Sequence, residues 1–299
     1  MRAIVTGGAG FIGSHVVEAL VARGDDVHVL DNLATGKRDN VAAGATLHVA
    51  DVRSPGDVFD TVEPQVVLHL AAQASVTVSV VQPDLDAEIN VLGTVRVLEA
   101  ARRHGAKVVF ASTGGAIYGE CELPVTERDP RAPLSPYGTS KLAAEEYLAS
   151  YNRLHGTGHV SLRYANVYGP RQDAQGEAGV VAIFMNVLRA DGTPLIYGDG
   201  TQTRDYVYAG DVAAATIAAL EHDGGVFNVG TGVETSVLEL YDAVAAASGI
   251  EREPEHAPAR LGDLRRSVLD ASLAARELGW TPQTPLAAGL ARTWEWATG

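Results

Sequence analysis

Short apolar runs alternate with longer segments of helical periodicity along residues 1–170. The apolar runs are typical of buried strands and lie at 2–5, 27–30, 46–49, 66–70, 107–111 and 160–164. The main helical segments between them lie at 15–23, 85–103 and 136–155. Strands that are apolar throughout and separated by helices belong to parallel sheets covered on both faces. The pattern predicts an α/β fold with a doubly wound parallel sheet and right-handed crossovers.

The pattern is more mixed after residue 171. It predicts helices at 179–190, 210–222, 236–248, 272–278 and 285–297, and short strands at 195–197 and 226–229. Pro282 and Pro285 mark turns between the last helices. We expect a first domain at 1–170, to which 210–230 returns, and a smaller mixed α/β lobe formed mainly by 171–299.

Composition narrows the class of protein. The chain has 299 residues, 46% of them hydrophobic, and a net charge of −14. That charge disfavours nucleic acids and anionic membranes as partners, and no apolar run approaches the length of a membrane span. Cys121 is the only cysteine, which excludes an intramolecular disulfide and fits a reducing cytoplasm. The chain enters a strand at once without a signal-peptide pattern, so we expect a cytoplasmic protein.

A glycine-rich turn joins the first strand to the first helix. Gly7, Gly10 and Gly13 are spaced three apart, which allows a tight turn and close approach of the backbone to a pyrophosphate at the helix N-terminus. Asp31 follows the second strand, where a carboxylate binds the adenosine ribose and favours NAD over NADP. Lys37 and Arg38 lie close by and weaken that preference for NAD. The competing interpretation of the glycine-rich segment is a tight turn that binds nothing. The competing interpretation of Asp31 is a turn residue at the end of a strand.

Three other positions invite two interpretations each. Asp51 follows the third strand and could bond an adenine amino group or cap a helix that starts near Ser54. Asn90 lies within a predicted helix, either facing solvent or bracing the end of a neighbouring strand. The strand 195–197 either stacks against a base or belongs to the core.

The candidate chemistry lies after the fifth strand. Ser112 and Thr113 end that strand, where hydroxyls face the ligand crevice of a parallel sheet. Tyr137 and Lys141 are four residues apart on one helical face. The ammonium lowers the pKa of a nearby phenol, which could then accept a proton from a hydroxyl whose carbon loses hydride.

Nine segments together resemble the nucleotide-sugar epimerase/dehydratase group of the extended short-chain dehydrogenases/reductases. They are TGGAGFIGS at 6–14, DNL at 31–33, DVR at 51–53, HLAAQ at 69–73, NVLGT at 90–94, YGTSK at 137–141, RYANVYGPR at 163–171, GDGTQTRDYVY at 198–208 and RLGD at 260–263. The resemblance spans essentially the whole chain. It implies a Rossmann fold with a substrate-binding lobe, and NAD-dependent 4-epimerisation of a UDP-sugar.

The resemblance also implies roles for the candidate residues. Tyr137 would remove the proton of the sugar 4-hydroxyl while hydride passes from C4 to the nicotinamide, giving a transient 4-keto sugar. Lys141 would hold the nicotinamide ribose and lower the pKa of Tyr137. Thr113 would bridge the sugar O4 and Tyr137, with Ser112 as the near alternative. Alignment from Tyr118-Gly119 would instead place Gly114 there, which cannot do the chemistry.

The wider sites implied by the resemblance involve no metal. The implied NAD-binding residues are Gly7, Gly10, Phe11, Ile12, Gly13, Asp31, Asn32, Thr35, Gly36, Asp51, Val52, Leu70, Ala71, Ala72, Gln73, Asn90, Ala111, Ser112, Tyr137, Lys141 and Tyr164. The implied UDP-sugar-binding residues are Ser75, Thr113, Gly114, Tyr137, Asn166, Val180, Val181, Ile196, Tyr197, Arg204, Arg260 and Asp263. A homodimer built on the helices near 85–103 and 136–155 is expected as well.

Several activities remain open within this class. A UDP-glucuronate epimerase would need a donor for the C6 carboxylate, for which Ser75, Thr77 and Arg189 are candidates. A 4,6-dehydratase would carry carboxylates after Thr113, where this chain has Gly114 and Gly115. We expect those glycines to leave room for the sugar. The same motifs are compatible with a 4-keto reductase and with a non-catalytic dinucleotide-binding regulator.

Overall fold

The computed structural model describes residues 1–174, 179–259 and 264–299. Its strands are β1 (Arg2–Thr6), β2 (Asp26–Asp31), β3 (Ala45–Val49), β4 (Val66–His69), β5 (Lys107–Thr113), β6 (Val160–Tyr164), β7 (Asn166–Tyr168), β8 (Leu195–Tyr197), β9 (Thr203–Tyr208), β10 (Val226–Val229), β11 (Glu234–Ser236), β12 (Glu255–Ala257) and β13 (Arg266–Ser267). Its α-helices are α1 (Phe11–Ala22), α2 (Gly56–Val62), α3 (Val76–Val81), α4 (Pro83–Ala87), α5 (Gly93–Arg103), α6 (Gly114–Ile117), α7 (Pro136–His155), α8 (Val180–Arg189), α9 (Ala209–Ala218), α10 (Val237–Ser248), α11 (Ser272–Glu277) and α12 (Leu286–Thr298).

The main sheet is the predicted doubly wound parallel sheet. Within the described ranges it has seven strands, in the order β10-β6-β5-β4-β1-β2-β3, and all neighbours run parallel. The side chains of β4 and β6 are buried throughout, because helices cover both faces of the sheet. β5 extends two residues beyond the predicted strand, since Ser112 and Thr113 pair with Arg163 and Tyr164 of β6.

The second lobe contains strands that the sequence pattern does not predict. β9 pairs with β7, β11 and β13, although its sequence TRDYVY is half polar. Such short strands exist because distant segments supply their hydrogen bonds, which a local pattern cannot reveal. The helices α8, α10 and α12 contribute Phe184, Leu240 and Leu290 to a separate core. No helix in the described residues is both long and apolar enough to cross a membrane.

The predicted helix at 85–103 is less regular than expected. α4 and α5 are joined by a π-helical segment, Glu88–Leu92, and the preceding α3 is not predicted by the pattern. The hydroxyl of Thr94 donates to the carbonyl of Asn90 at 2.7 Å. The Asn90 amide donates to Gln73 O at 2.8 Å and accepts from Gln73 N at 2.9 Å. Asn90 therefore braces the chain after β4 and does not face solvent.

A buried chain of hydrogen bonds connects β1, β4 and α5 through His69. Ala71 N donates to Thr6 Oγ1 at 3.2 Å, and Thr6 Oγ1 lies 2.7 Å from His69 Nδ1. His69 Nε2 lies 3.0 Å from Thr94 Oγ1, whose proton is already used on Asn90. The chain is satisfied when Thr6 donates to Nδ1 and the imidazole is neutral with its proton on Nε2. Burial, with a smaller contribution from the charge of Lys141, lowers the pKa of His69 to about 3.

A second buried network joins the sheet to α7 and β10. Arg163 Nη2 lies 2.6 Å from Glu145 Oε2, and both side chains are 2% exposed. Arg163 Nη1 donates to the Tyr118 hydroxyl, which donates to Asn228 Oδ1 at 2.8 Å. Burial opposes the charge of Arg163, but the hydrogen bonds with Glu145 raise its pKa above the ordinary value. The pair is buried together with its polar partners, which offsets the desolvation of both charges.

His69 makes stability depend on pH. Unfolded histidine takes up a proton near pH 6.5, whereas folded His69 stays neutral until about pH 3. Its contribution is present above pH 6.5 and is lost as the pH falls below that value. Between pH 7 and pH 5 we expect this group alone to remove about 2 kcal/mol of unfolding free energy.

Urea unfolding at both pH values, for the wild type and His69→Gln, measures that loss. The variant should lose about 2 kcal/mol less than the wild type between pH 7 and pH 5. Equal losses in the two proteins would contradict the assignment of a neutral buried imidazole.

Candidate active site

The glycine-rich turn between β1 and α1 leaves no room for side chains. Gly7 has φ +70°, and a Cβ on it would lie 2.7 Å from Ala71 N. A Cβ on Gly13 would lie 2.1 Å from Gly7 O. No side chain caps the N-terminus of α1, and its first turn carries no acidic residue. The turn and the helix dipole therefore suit the pyrophosphate of a dinucleotide.

Asp31 lies at the carboxyl end of β2 and is 7% exposed. It accepts from Ala9 N at 3.0 Å and from Leu33 N at 2.8 Å. A Cβ on Gly36 would lie 2.9 Å from Asp31 Oδ1, so the loop passes directly over the carboxylate. Backbone bonds thus fix this carboxylate beside the glycine turn, where it suits a ribose.

Asp51 is held by its neighbours and does not cap a helix. Its carboxylate accepts from Arg53 Nη2 at 2.9 Å, Arg53 N at 2.8 Å and Asn32 Nδ2 at 2.9 Å. The Arg53 side-chain bond is the main reason that its pKa lies well below the ordinary value. α2 begins at Gly56 after Pro55, without a side-chain cap, so the capping interpretation is wrong. Asp51 and Asn32 instead join the ends of β2 and β3.

A cleft of about 270 Å³ opens at the carboxyl edge of the sheet. Predicted site residues that line it are Phe11, Ile12, Ser112, Thr113, Tyr137, Tyr164, Asn166, Val180 and Val181. Other described lining residues are Ala74, Ala165, Val167, Tyr168, Gln172, Gly179 and Tyr206. The N-terminus of α1, the end of β5 and the start of α7 therefore meet at one cavity. A nicotinamide and a sugar could lie side by side there.

Lys141 is buried behind the phenol of Tyr137. Its Nζ donates to Ala111 O at 2.8 Å and lies 4.7 Å and 5.9 Å from the ring centroids of Phe110 and Tyr137. Burial lowers the pKa of Lys141 to about 8, against the opposing attraction of Asp86 and Glu145. The ammonium is thus still the main form near neutral pH, where it can stabilise a phenolate.

The two candidate hydroxyls differ in their surroundings. Ser112 is 4% exposed, and its Oγ donates to Glu145 Oε1 at 2.5 Å. Thr113 is half-buried and precedes α6, which it does not cap through its side chain. A Cβ on Gly114 would lie 2.4 Å from the side chain of Leu269, so Leu269 rather than a sugar takes the space beside it. These contacts favour Thr113 over Ser112 and Gly114 as the bridging hydroxyl.

The remaining described residues that were predicted to bind the substrate do not line the cleft. Ile196 is 1% exposed in the core of the second lobe, which matches the core-strand interpretation for its side chain. Arg204 lies on β9, and its Nη1 donates to Thr203 O at 2.8 Å. Tyr164, an implied NAD-binding residue, does line the cleft, while its hydroxyl bonds Thr216 at 2.8 Å. Arg260 and Asp263 lie outside the described residues.

Sequence reasoning missed the residues that support this site from behind. Thr6, His69 and Thr94 fix the chain after β4, and Glu145 holds both Ser112 and Arg163. Glu145 could have been noticed, because it lies four residues after Lys141 and so on the same face of α7. Nothing local in the sequence shows that Arg163 is its partner.

Comparison with known proteins agrees with this geometry. Residues 3–230 match the family described as the NAD dependent epimerase/dehydratase family. A UDP-glucose 4-epimerase of Mycolicibacterium smegmatis is 48% identical over 307 residues, which cover 99% of this chain and 98% of that protein.

Two crystal structures are similar over their whole length. That of a Thermotoga maritima UDP-glucose 4-epimerase with UDP-glucose has a TM-score of 0.98 and 44% identity, covering 100% of this chain and 99% of that one. That of a Thermus thermophilus UDP-glucose 4-epimerase complex with NAD has a TM-score of 0.94 and 49% identity, with the same coverage. This chain belongs to the NAD-dependent epimerase/dehydratase family of extended short-chain dehydrogenases/reductases.

Proposed function

We propose that this protein is an NAD-dependent 4-epimerase that interconverts UDP-glucose and UDP-galactose. The observation that carries the proposal is the shared cleft in which Thr113, Tyr137 and Asn166 face the N-terminus of α1. The similarity to enzymes named UDP-glucose 4-epimerase supports it. NAD, when bound, would supply the acceptor and donor of hydride for C4 of the sugar.

The chain itself moves the proton and holds the reactants. Tyr137, as phenolate, accepts the proton of the sugar 4-hydroxyl and returns it after the 4-keto sugar has rotated in the site. The Lys141 ammonium stabilises that phenolate and holds the nicotinamide ribose. Thr113 donates to the sugar oxygen while Tyr137 takes its proton. These roles require that the side chains stay close to the sugar and move little. The end of β5, which carries Thr113, and the start of α7, which carries Tyr137, suit this requirement because both belong to regular secondary structure.

The described lining of the cleft carries no charged side chain, and this discriminates among activities. No described residue that lines it is Asp or Glu, so a carboxylate suited to elimination at C5 and C6 is missing from that lining. The same described lining contains no Lys, Arg or His, which disfavours a sugar with a C6 carboxylate. Arg189, one candidate for that carboxylate, instead donates to Ala297 O at 2.7 Å. A neutral hexose fits these surroundings best.

The proposed function assigns NAD binding and UDP-sugar binding to different parts of the chain. We assign residues 1–170 and 210–230 to NAD binding, since β10 lies in the main sheet and α9 packs against α1. Residues 171–299 form most of the UDP-sugar lobe. Ser75, Tyr197, Arg204, Arg260 and Asp263 are proposed contacts of the nucleotide sugar. The cytoplasm is the proposed compartment, in keeping with one free cysteine.

A homodimer is proposed on the face formed by α3, α5 and α7. The exposed apolar side chains of these helices and of the π-helical segment include Val80 at 62%, Val81 at 72%, Leu92 at 50% and Leu154 at 72%. The Tyr151 hydroxyl donates to Glu99 at 2.5 Å and ties α7 to α5. Exposed apolar surface of this kind is typical of protein interfaces.

Sedimentation should find the wild type at twice the mass of the 31.3 kDa chain. Leu154→Lys places a charge in the proposed interface and should shift the protein towards monomer. Trp296→Lys, at an apolar residue 50% exposed on α12, should leave the dimer intact. A monomeric wild type would exclude this interface.

Incubation with single nucleotide sugars tests the substrate. We expect UDP-glucose to yield UDP-galactose and UDP-galactose to yield UDP-glucose, because both have an uncharged C6 group. UDP-glucuronate, incubated separately, should turn over at least ten-fold more slowly, since its carboxylate finds no cationic partner in the described lining of the cleft. Product separation by chromatography measures both. If neither UDP-glucose nor UDP-galactose is converted, the proposed function is overturned. If UDP-glucuronate is converted faster than both, it is the substrate instead.

The proton acceptor can be tested with a matched pair of tyrosines on α7. Tyr137→Phe should lower kcat by about 10²- to 10⁴-fold, because it removes only the acid–base oxygen, while NAD stays bound. Tyr147→Phe, at a residue 43% exposed on the same helix, should leave kcat unchanged. Unaltered turnover in Tyr137→Phe would remove Tyr137 from the mechanism.

A further inference from the structure

Asp86 is a fully buried carboxylate next to the site, and the proposed mechanism does not use it. It lies on α4, which packs against α7, and its residue exposure is 0%. Its Oδ1 accepts from Gln73 Nε2 and from Asn90 Nδ2, both at 2.9 Å. These hydrogen bonds satisfy the Oδ1 atom and connect Asp86 to the chain that follows β4.

The second oxygen of Asp86 is unexplained by hydrogen bonding. Oδ2 is buried and has no hydrogen-bond partner in the structure. An aspartate leaves water at high cost, and a buried polar atom without a partner calls for a physical reason. Among the described residues Asp86 also forms no ion pair within 4.0 Å. A charge on a neighbouring element, without a direct hydrogen bond, would offset the desolvation of this oxygen.

The candidate charge is the buried ammonium of Lys141 on α7, the helix against which α4 packs. The attraction of Asp86 opposes the burial that lowers the pKa of Lys141, and its effect is larger than that of Glu145. Within the described ranges Lys141 Nζ has one hydrogen bond, to Ala111 O, so its other N–H bonds can face the nicotinamide ribose and Tyr137. A counter-charge that does not itself take those N–H bonds leaves them available for the reaction.

Other ionisable groups around Lys141 are already balanced. Glu145 on α7 is paired with Arg163 of β6 and bonded by Ser112. His69 on β4 is neutral in its hydrogen-bonded chain. Tyr137 lies on the same face of α7, its ring centroid 5.9 Å from Nζ. Of the two carboxylates whose charge acts on Lys141, Asp86 is therefore the one that has no cation of its own among the described residues.

We propose that Asp86 is a positioning residue, whose buried carboxylate is the counter-charge that keeps Lys141 protonated beside Tyr137. The same side chain aligns Gln73 and Asn90, so the charge and the wall of the cofactor site are fixed together. The activity part of the test rests on the proposed epimerase function, whereas the stability part does not.

The holoenzyme variant Asp86→Asn keeps the shape and the Oδ1 acceptor but removes the charge. Without the counter-charge, Lys141 should lose its proton at lower pH, so the alkaline limb of kcat against pH should move down by about one unit. Asp211→Asn is the matched control, because Asp211 is a buried carboxylate on α9 that accepts from Thr284 N at 2.9 Å, away from Lys141. It should lower Tm and leave the limb in place. An unmoved limb in Asp86→Asn would overturn the proposal.

A double-mutant cycle tests the pair even where Asp86→Asn folds poorly or no sugar is turned over. Lys141→Met leaves Asp86 as an uncompensated buried charge, so adding Asp86→Asn should raise Tm in that background. In the wild-type background the same substitution should lower Tm. Changes in Tm of opposite sign in the two backgrounds support the interaction between Asp86 and Lys141, and an equal fall in Tm in both backgrounds refutes it. Neither melting curve requires activity, so failure of the pair is distinguishable from failure of the proposed function.

Discussion

The burial of the Lys141 ammonium is the constraint on which the site depends. An ammonium taken out of water needs compensation from its surroundings, or it gives up its proton. Here the compensation is a backbone carbonyl at 2.8 Å, the ring of Phe110 at 4.7 Å and two buried carboxylates. These groups belong to three parts of the fold. β5, the face of α7 and the C-terminal end of α4 are thus held in one arrangement by one charge.

The surrounding polar groups are arranged so that they do not compete for that charge. Arg163 neutralises Glu145, and Tyr118 carries the network from Arg163 to Asn228 on β10. The imidazole of His69 exchanges only neutral hydrogen bonds with Thr6 and Thr94. Fully satisfied buried networks are rigid, since any departure leaves a polar atom without a partner. The cleft therefore has rigid polar walls and an uncharged described lining.

Local physics explains which parts of this arrangement the sequence predicts. The parallel sheet follows from apolar runs separated by helices, and the candidate base follows from two residues on one helical face. Gly7, Gly10 and Gly13 could be recognised from their spacing of three between a strand and a helix. These features depend on residues that are close together along the chain. The family resemblance extended them to roles that spacing alone could not assign.

The remaining features depend on partners that are distant in sequence. β9 is half polar and becomes a strand only because β7, β11 and β13 pair with it. The π-helical segment arises where Thr94 bonds Asn90 and Asn90 in turn bonds Gln73. Leu269 occupies the space beside Gly114 although the two are far apart in the chain. No periodicity encodes such pairings, because they arise only when the chain is folded.

The position of β10 at the edge of the main sheet has a consequence for the growing chain. β6 pairs with β5 on one side and with β10 on the other, and Phe227 and Val229 of β10 are buried in the sheet core. During synthesis the other strands of the main sheet leave the ribosome first, while β6 remains an unpaired edge until residue 229 follows. An open strand edge can pair with other chains. This edge of the nascent sheet is therefore open to such pairing between the completion of β6 and the arrival of β10.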